Sequence, residues 1–442
     1  MIARAGVLWR KAWHAFDGLA ADTLWSGVHD LAQLVTALTS FVLLQRAYPD
    51  AAGVKTYGAY AGLYGLLAIF GALSYSGIGL SLLQRLLGEG DERNGALRSF
   101  LPLALLIGGG ASAVTIALAA SYLQLTVTEI AVVVVAELIG VATVWMSAML
   151  VQAASGFQAA VRVKIVVIVL RFAIVTGLHA TGYLTIRNLG IGFLVSFLVY
   201  DAYLLRWHLP RHGYRVRIGR PSAVAVRSSA LFAVPMGAAR LQTDADKFLL
   251  NVFPRGNDAG LYGAAYRILA LGVLPLQALD TAAFQRFLPK GEGERGLHWR
   301  RGTRLALLMF GASLVVAAAL YVILPHLDFL FQAEYLSAKD EIAPWLLLVI
   351  PLLATSNTPM NGLLGLGQAD KRMYVYLSSA AVSMISYFVL IPPFSWQGAV
   401  AATLISEVYL SAAGWTALWY YQREADRALD AATTDPALAA RV

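Results

Sequence analysis

Apolar residues along this chain fall in runs near the roughly 20 that a helix needs to cross the hydrocarbon of a bilayer. Six runs can be read at 26–48, 57–83, 99–122, 129–152, 163–183 and 188–207, and six more at 226–252, 260–286, 302–324, 342–364, 373–391 and 398–420. The short alternating segments of a membrane β-barrel are not what the pattern gives. It predicts an all-α polytopic membrane protein with about twelve transmembrane helices.

Polar signposts divide these runs. Pro49 and Tyr57-Gly58-Ala59 precede Gln84-Arg85, and Pro254 and Tyr262-Gly263-Ala264 precede Gln285-Arg286. Gln158-Ala159 with Arg162 is echoed by Gln368-Ala369 with Arg372. The echo predicts an N-lobe at 26–207 and a C-lobe at 226–420, joined by a basic cytoplasmic linker at 208–225. An amphipathic cytoplasmic segment at 1–25, rich in Trp and basic residues, would precede them, and a cytoplasmic tail at 421–442 would follow. Six spans per half would relate the lobes by a parallel pseudo-two-fold, an architecture that places a substrate cavity between them.

Composition agrees with a lipid solvent: 58% of residues are hydrophobic, 14% are charged, and the mean hydropathy is +0.64. Of the 34 Lys and Arg residues, 25 fall in the tails or after even-numbered spans, Arg162 and Lys164 among them, and 5 fall on the other side. Cytoplasmic loops hold that excess, so both termini are expected in the cytoplasm of a bacterial inner-membrane protein. The net charge of +8 is then a topology signal and an attraction to anionic lipid, and no nucleic-acid partner is expected. The chain has no cysteine, which excludes disulfides, thiolate metal sites and Cys nucleophiles. Scattered histidines without an H-E-x-x-H pattern give no metal site.

Charges inside the spans are costly and usually face a polar interior. At 100° per residue, Arg240, Asp244 and Lys247 share one face of the seventh span, while Asp246 points elsewhere. Pro235 predicts a kink before them. Arg267 and Arg171 are further intramembrane cations, and Asp30, Glu137, Asp201, Asp280 and Glu407 supply anions. One reading is a hydrated cavity whose Arg240, Lys247, Arg267 and Arg171 receive phosphate groups. The other is that Arg240 and Asp244 neutralise each other, with Asp246 and Lys247 lying near the outer headgroups. Asp244, Asp246, Glu407 and Asp280 are the coupling or charge-balance candidates, Glu407 being the best placed in mid-span. Glu129 and Asp201, near span ends, are expected in water.

Tyr57, Tyr60 and Tyr64 form a stripe that Tyr262 and Tyr266 repeat. Tyr64 and Tyr266 lie deeper and are the candidates for stacking on sugar rings; Tyr57 and Tyr262 are expected in the interfacial aromatic belt. Thr355-Ser356-Asn357-Thr358-Pro359 either interrupts the tenth span beside a cavity or packs it against a neighbour.

Enzyme motifs do not hold. Asp244-Ala245-Asp246 spells a D-x-D metal motif inside a membrane span, GLLGLG at 362–367 is a glycine-rich helix end, and Walker A is absent. The longest outer loop, at 325–341, leaves little room for a catalytic domain. No catalytic residue or cofactor is expected, and the chain is read as a transporter.

The segment Asp246-Lys247-Phe-Leu-Leu, followed by Asp258-Ala-Gly-Leu-Tyr-Gly-Ala-Ala-Tyr-Arg267, resembles the signature of polysaccharide and O-antigen repeat-unit flippases. These are the Wzx-like, polysaccharide-transporter branch of the multidrug/oligosaccharidyl-lipid/polysaccharide superfamily. The run at 361–407, with its G-x-G-x-x-x-x-R turn, I-P-P ending and G-A-x-A-A-T, is similar to the later spans of that family. The resemblance implies a flippase that moves a polyprenyl-pyrophosphate-linked oligosaccharide to the outer leaflet by alternating access. Asp246, Lys247, Tyr262, Tyr266 and Arg267 match the family pattern; Arg240 and Arg171 rest on the charge argument alone. The resemblance would add a coupling cation, Na+ or H+, and as partners membrane lipids, a polysaccharide polymerase and glycosyltransferases. It leaves the oligomeric state open. The alternatives are a multidrug exporter of the same fold, which would want an acidic cavity, and a non-transporting membrane component of glycan assembly.

Overall fold

The computed structural model describes residues 2–88, 93–214, 219–284 and 298–434, with side chains from 24 onward except at 88–96, 215–218, 275, 277–301 and 428–442. The described residues form helices and short connections. These are α1 (Ile2–Ala47), α2 (Ala51–Leu87), α3 (Arg93–Tyr122), α4 (Val127–Ser155), α5 (Phe157–Ala180) and α6 (Ile186–Arg211). Then come α7 (Ala223–Val252), α8 (Asp258–Phe284), α9 (His298–Ile323) and α10 (Ala333–Gly365). A final run, Ala369–Thr434, is divided at Ser395 into α11 (369–394) and α12 (396–434).

Eight stretches are long and apolar enough to cross a membrane on composition alone. Helices α5, α7 and α8, which carry the intramembrane Lys and Arg residues, are not among those eight, and the last of the eight contains both α11 and α12. The division at Ser395 is local chemistry. Its φ of 50° is left-handed, Arg255 donates to the carbonyls of Pro392 (2.5 Å) and Pro393 (2.9 Å), and Ser395 Oγ donates to Asp258 Oδ2 (2.5 Å). The carbonyls of Pro392 and Pro393, whose helical donors would have come from residues 396 and 397 beyond the break, are thus satisfied by Arg255 of the α7–α8 turn.

Pro235 lies within α7 without ending it, and of the two readings of Thr355–Pro359 the helix Val349–Gly365, which continues through it, favours packing. The hydroxyls of Thr355 and Ser356 donate to carbonyls one turn back, at Leu352 (2.9 Å) and Leu353 (3.3 Å), so the polar run is absorbed into packing. The irregularities lie elsewhere, as π-helical turns at Ala72–Ser76 in α2 and Ala136–Gly140 in α4. Each inserts a residue and re-aims the side chains around it.

Helix α1 packs on α5 and α8, α2 on α7 and α8, and α7 on the α11–α12 pair, which also covers α10. Small residues allow the closest of these crossings: a Cβ on Gly58 of α2 would lie 2.6 Å from the backbone nitrogen of Gly260 of α8. Without a hydrophobic drive between helices in lipid, such backbone contact is what holds them. The outer surface is apolar, with Leu307, Val195, Ile385 and Phe388 exposed as lipid contact requires.

Two 3-10 turns lead from α9 into α10: Leu324–Leu330, and Ala333–Tyr335 at the start of α10; they bring Phe331 and Tyr335 onto Phe41 of α1, and Tyr335 onto Tyr57 of α2. Gln45 fixes the same contact, donating to the carbonyl of Leu330 (3.3 Å) and accepting from the amide of Gln332 (3.2 Å). Aromatic edges therefore close this end of the space between α1, α2 and α8.

Candidate functional site

A cavity of about 620 Å³ lies between α1, α2, α4 and α5 on one side and α7 and α8 on the other. All six residues expected to bind substrate line it: Arg171, Arg240, Lys247, Arg267, Tyr64 and Tyr266. Asp244 lines it as well. The size is that of a small-molecule pocket, which typically spans roughly 300 to 1,000 Å³.

Helix α7 supplies the ladder in the predicted register. Side-chain exposure falls from 59% at Arg240 to 15% at Asp244 and 11% at Lys247. Asp244 is closer to Lys247, at 2.8 Å, than to Arg240, at 3.5 Å. The expected Arg240–Asp244 pair exists but is the longer of the two. Lys247 also donates to the carbonyl of Thr243 (2.9 Å), and its ammonium sits 3.6 Å from the ring centre of Tyr266, a cation–π contact.

Asp246 is not at a headgroup surface. It is fully buried on the opposite face of α7, where it accepts from Tyr262 Oη at 2.6 Å. The two carboxylates of the D-x-D spelling therefore point apart. Tyr262 is likewise core, and Tyr57 is 2% exposed and accepts from Arg267 Nε at 3.2 Å. Neither belongs to an interfacial belt, because Tyr57 packs on Phe41, Tyr335 and Arg267 and Tyr262 on Asp246 of α7, instead of against lipid.

Arg171 faces the cavity from α5. It donates to Glu137 Oε2, whose other oxygen accepts from Tyr64 Oη at 2.9 Å. Glu137 is carried by the π-helical turn of α4. Sequence spacing offered no signal for this pairing, since the partner sits 34 residues away on another helix. Lys164 was also missed: it is part of α5, not a loop, and its ammonium lies 3.7 Å from the ring centre of Trp145 while lining the cavity. Tyr60 and Tyr75 add to the aromatic wall.

Arg267 and Lys164 have no carboxylate partner among the described residues. The lining therefore presents five basic side chains, Lys164, Arg171, Arg240, Lys247 and Arg267, against two carboxylates, Glu137 and Asp244. Its polarity is cationic, with tyrosines between the cations.

The remaining candidates lie away from the cavity. Glu407 of α12 is 1% exposed and accepts from Gln242 Nε2 (2.8 Å) and Ser356 Oγ (3.0 Å) in the packing of α7, α10 and α12. Asp201 is buried rather than in water, with Oδ1 lacking a partner among the described residues, whereas Glu129 is half-buried and closes a capping box with Thr126. Asp280 belongs to α8, but its side chain, the side chains of 1–23 and Arg286 lie outside what the structure describes.

No family model matches the chain, and no curated protein matches it. Solved structures do. The chain is similar to the outward-facing conformation of a multidrug resistance MATE family transporter of the MOP superfamily, at 14% identity over 92% of this chain and 96% of that one, TM-score 0.63. It is also similar to an inward-facing conformation of such a transporter, at 14% identity over 90% and 99%, TM-score 0.67. A third match is a MOP superfamily transporter from Pyrococcus furiosus, described as having a binding pocket of reverse polarity that suggests a different function. It shares 14% identity over 91% and 96%, TM-score 0.65. The likeness establishes the fold of this all-α, multi-pass membrane protein as that of the MOP superfamily's MATE-like transporters.

Proposed function

We propose that the chain is an alternating-access transporter of an anionic, glycan-bearing lipid, a flippase for polyprenyl-pyrophosphate-linked oligosaccharide in polysaccharide synthesis. One observation carries this reading: the cationic excess of the lining, with Lys164 and Arg267 unmatched by any described carboxylate. Guanidinium and ammonium groups in a low-dielectric cavity recognise phosphate oxygens, and tyrosine faces suit sugar rings. Arg171, Arg240, Lys247 and Arg267 take the diphosphate, while Tyr64 and Tyr266 take the first sugars. The fold supports the motion, since its solved relatives include outward- and inward-facing conformations.

In this reading the halves at 26–207 and 226–420 rock about the cavity in the inner membrane, with both termini cytoplasmic, and the product passes to a polymerase. The aromatic closure by Phe41, Tyr57 and Tyr335 is the shut outer end. A multidrug exporter of the same fold has the names of the matched structures in its favour, but an organic cation would meet five like charges in this cavity. The test is leaflet distribution of the lipid-linked glycan in cells carrying Arg240→Ala or Arg267→Ala. Accumulation in the cytoplasmic leaflet with folded protein is expected; a normal distribution in both variants would sink the proposal.

A further inference from the structure

Two of the cavity's cations already have carboxylate partners, and the two pairs are built alike. On the α4–α5 side, Glu137 accepts from Arg171 on one oxygen and from Tyr64 on the other. On the α7 side, Asp244 accepts from Lys247 on Oδ1, and from Thr243 Oγ1 (3.0 Å) and Arg240 (3.5 Å) on Oδ2. Each cation also rests on aromatic rings, Arg171 near Phe193 and Phe197 and Lys247 on Tyr266. Each carboxylate thus holds cations that a bound phosphate would use, Glu137 holding Arg171 and Asp244 holding Lys247 and Arg240.

We propose that Glu137 and Asp244 are tethered counter-anions, holding the phosphate positions in the empty carrier and yielding them when cargo binds. A bare cation in a water-poor cavity is strongly unfavourable, so an empty site without these carboxylates would resist closing. With them, the empty lining has a surplus of three cations in place of five, and Arg171 and Lys247 are both paired until cargo arrives. A carboxylate and a phosphate oxygen satisfy the same donors, which makes the exchange isosteric at the donor atoms. Glu137 sits on a π-helical turn, a local geometry that can shift by one residue and withdraw the side chain. Asp244 keeps the Thr243 hydroxyl as a partner after Lys247 turns to phosphate.

This role rests on the anionic-cargo reading above and has a separate consequence. An internal competitor lowers the apparent affinity by the fraction of carriers in which it has stepped aside. Removing its charge should therefore tighten binding and slow the empty return. The experiment titrates full-length protein in lipid nanodiscs with inorganic pyrophosphate, comparing wild type, Glu137→Gln, Asp244→Asn and Glu137→Asp. If the paired state outnumbers the open one by about ten to one, each amide variant should bind roughly tenfold tighter. Glu137→Asp should stay near wild type.

Should Glu137→Gln fail to fold because Arg171 is left unpaired, Asp244→Asn decides the matter. There Lys247 keeps the Thr243 carbonyl and Asp246, at 2.9 Å and 3.4 Å. Wild-type binding with unchanged or weaker affinity in the amide variants overturns the counter-anion role and leaves the anion site standing. No pyrophosphate binding by any of the four proteins overturns both.

Discussion

Helix α7 has two faces, and both carry charge or amide groups in the same eight-residue stretch. Arg240, Asp244 and Lys247 look into the cavity, where exposure falls from 59% to 11%. Gln242 and Asp246, one or two residues away, are 1% and 0% exposed, and Asp246 accepts from Tyr262 Oη at 2.6 Å while the Lys247 ammonium lies 3.4 Å from its other oxygen. Gln242 donates to Glu407, accepts from Ser379 Oγ (2.7 Å), and lends its carbonyl to Tyr387 Oη (2.6 Å). The buried face is a closed hydrogen-bond network with each partner fixed. The cavity face has shared partners, one long contact between Arg240 and Asp244 (3.5 Å), and surplus cations. The same residue types thus hold α7 to the helices behind it and leave a receptive surface in front.

The comparison breaks if the two faces respond alike to mutation. Asp246→Ala should have the largest effect on stability. It strands the Tyr262 hydroxyl in a sealed core and removes one of Lys247's two carboxylates, at a cost of about 3 kcal/mol. Thermal melting in detergent should separate it clearly from Asp244→Ala, whose oxygens face the cavity and whose loss water can compensate. Equal melting points for the two variants would remove the distinction between the faces.

Glu407→Gln comes next. The amide keeps the shape and one acceptor oxygen, but its NH2 now faces either Gln242 Nε2 or Ser356 Oγ, so one bond is lost or reversed, at about 1.5 kcal/mol. Pyrophosphate binding at the cavity should be unchanged. A large fall in transport at unchanged stability would instead move Glu407 from the structural face to the working cycle.

How much of this was legible beforehand depends on whether the information was local. The separation of Asp246 from its neighbours followed from 100° per residue, because α7 stays regular through Pro235. The six cavity residues followed from the cost of charge in lipid, which leaves few places for Arg and Lys to go. Glu137's partnership with Arg171 was not legible, since a π-helical turn in α4 re-aims it across to another helix. Tyr57 and Tyr262 were misread because a position near a span end in sequence becomes core when Gly58 and Gly260 let two backbones touch. Lys164 was counted with the loop cations because it stands at the start of the run at 163–183, whereas α5 begins at Phe157 and turns it inward.

A helix end remote from both faces gives a baseline for the smaller effects. Thr126 caps α4, accepting from the amide of Glu129 (3.3 Å) while Glu129 reaches back to the Thr126 amide (2.8 Å). Thr126→Ala should lower stability by about 1 kcal/mol and leave anion binding untouched. A change in binding would mean that the far end of α4 is coupled to Glu137 along the helix.

Arg240→Ala should show the smallest stability change and the sharpest contrast. Its guanidinium is 59% exposed, its one described carboxylate contact is 3.5 Å long, and Asp244 retains Lys247 at 2.8 Å when it is gone. Exposed ion pairs of this kind contribute at most about 1 kcal/mol and often nothing measurable. The melting point should therefore stay within the equivalent of about 0.5 kcal/mol of wild type. Pyrophosphate affinity should nonetheless fall severalfold and depend less on ionic strength, because the residue acts on an incoming anion and not on the fold. If Arg240→Ala instead melts like Asp246→Ala, the cavity face is structural as well, and the surplus of cations has no receptive role.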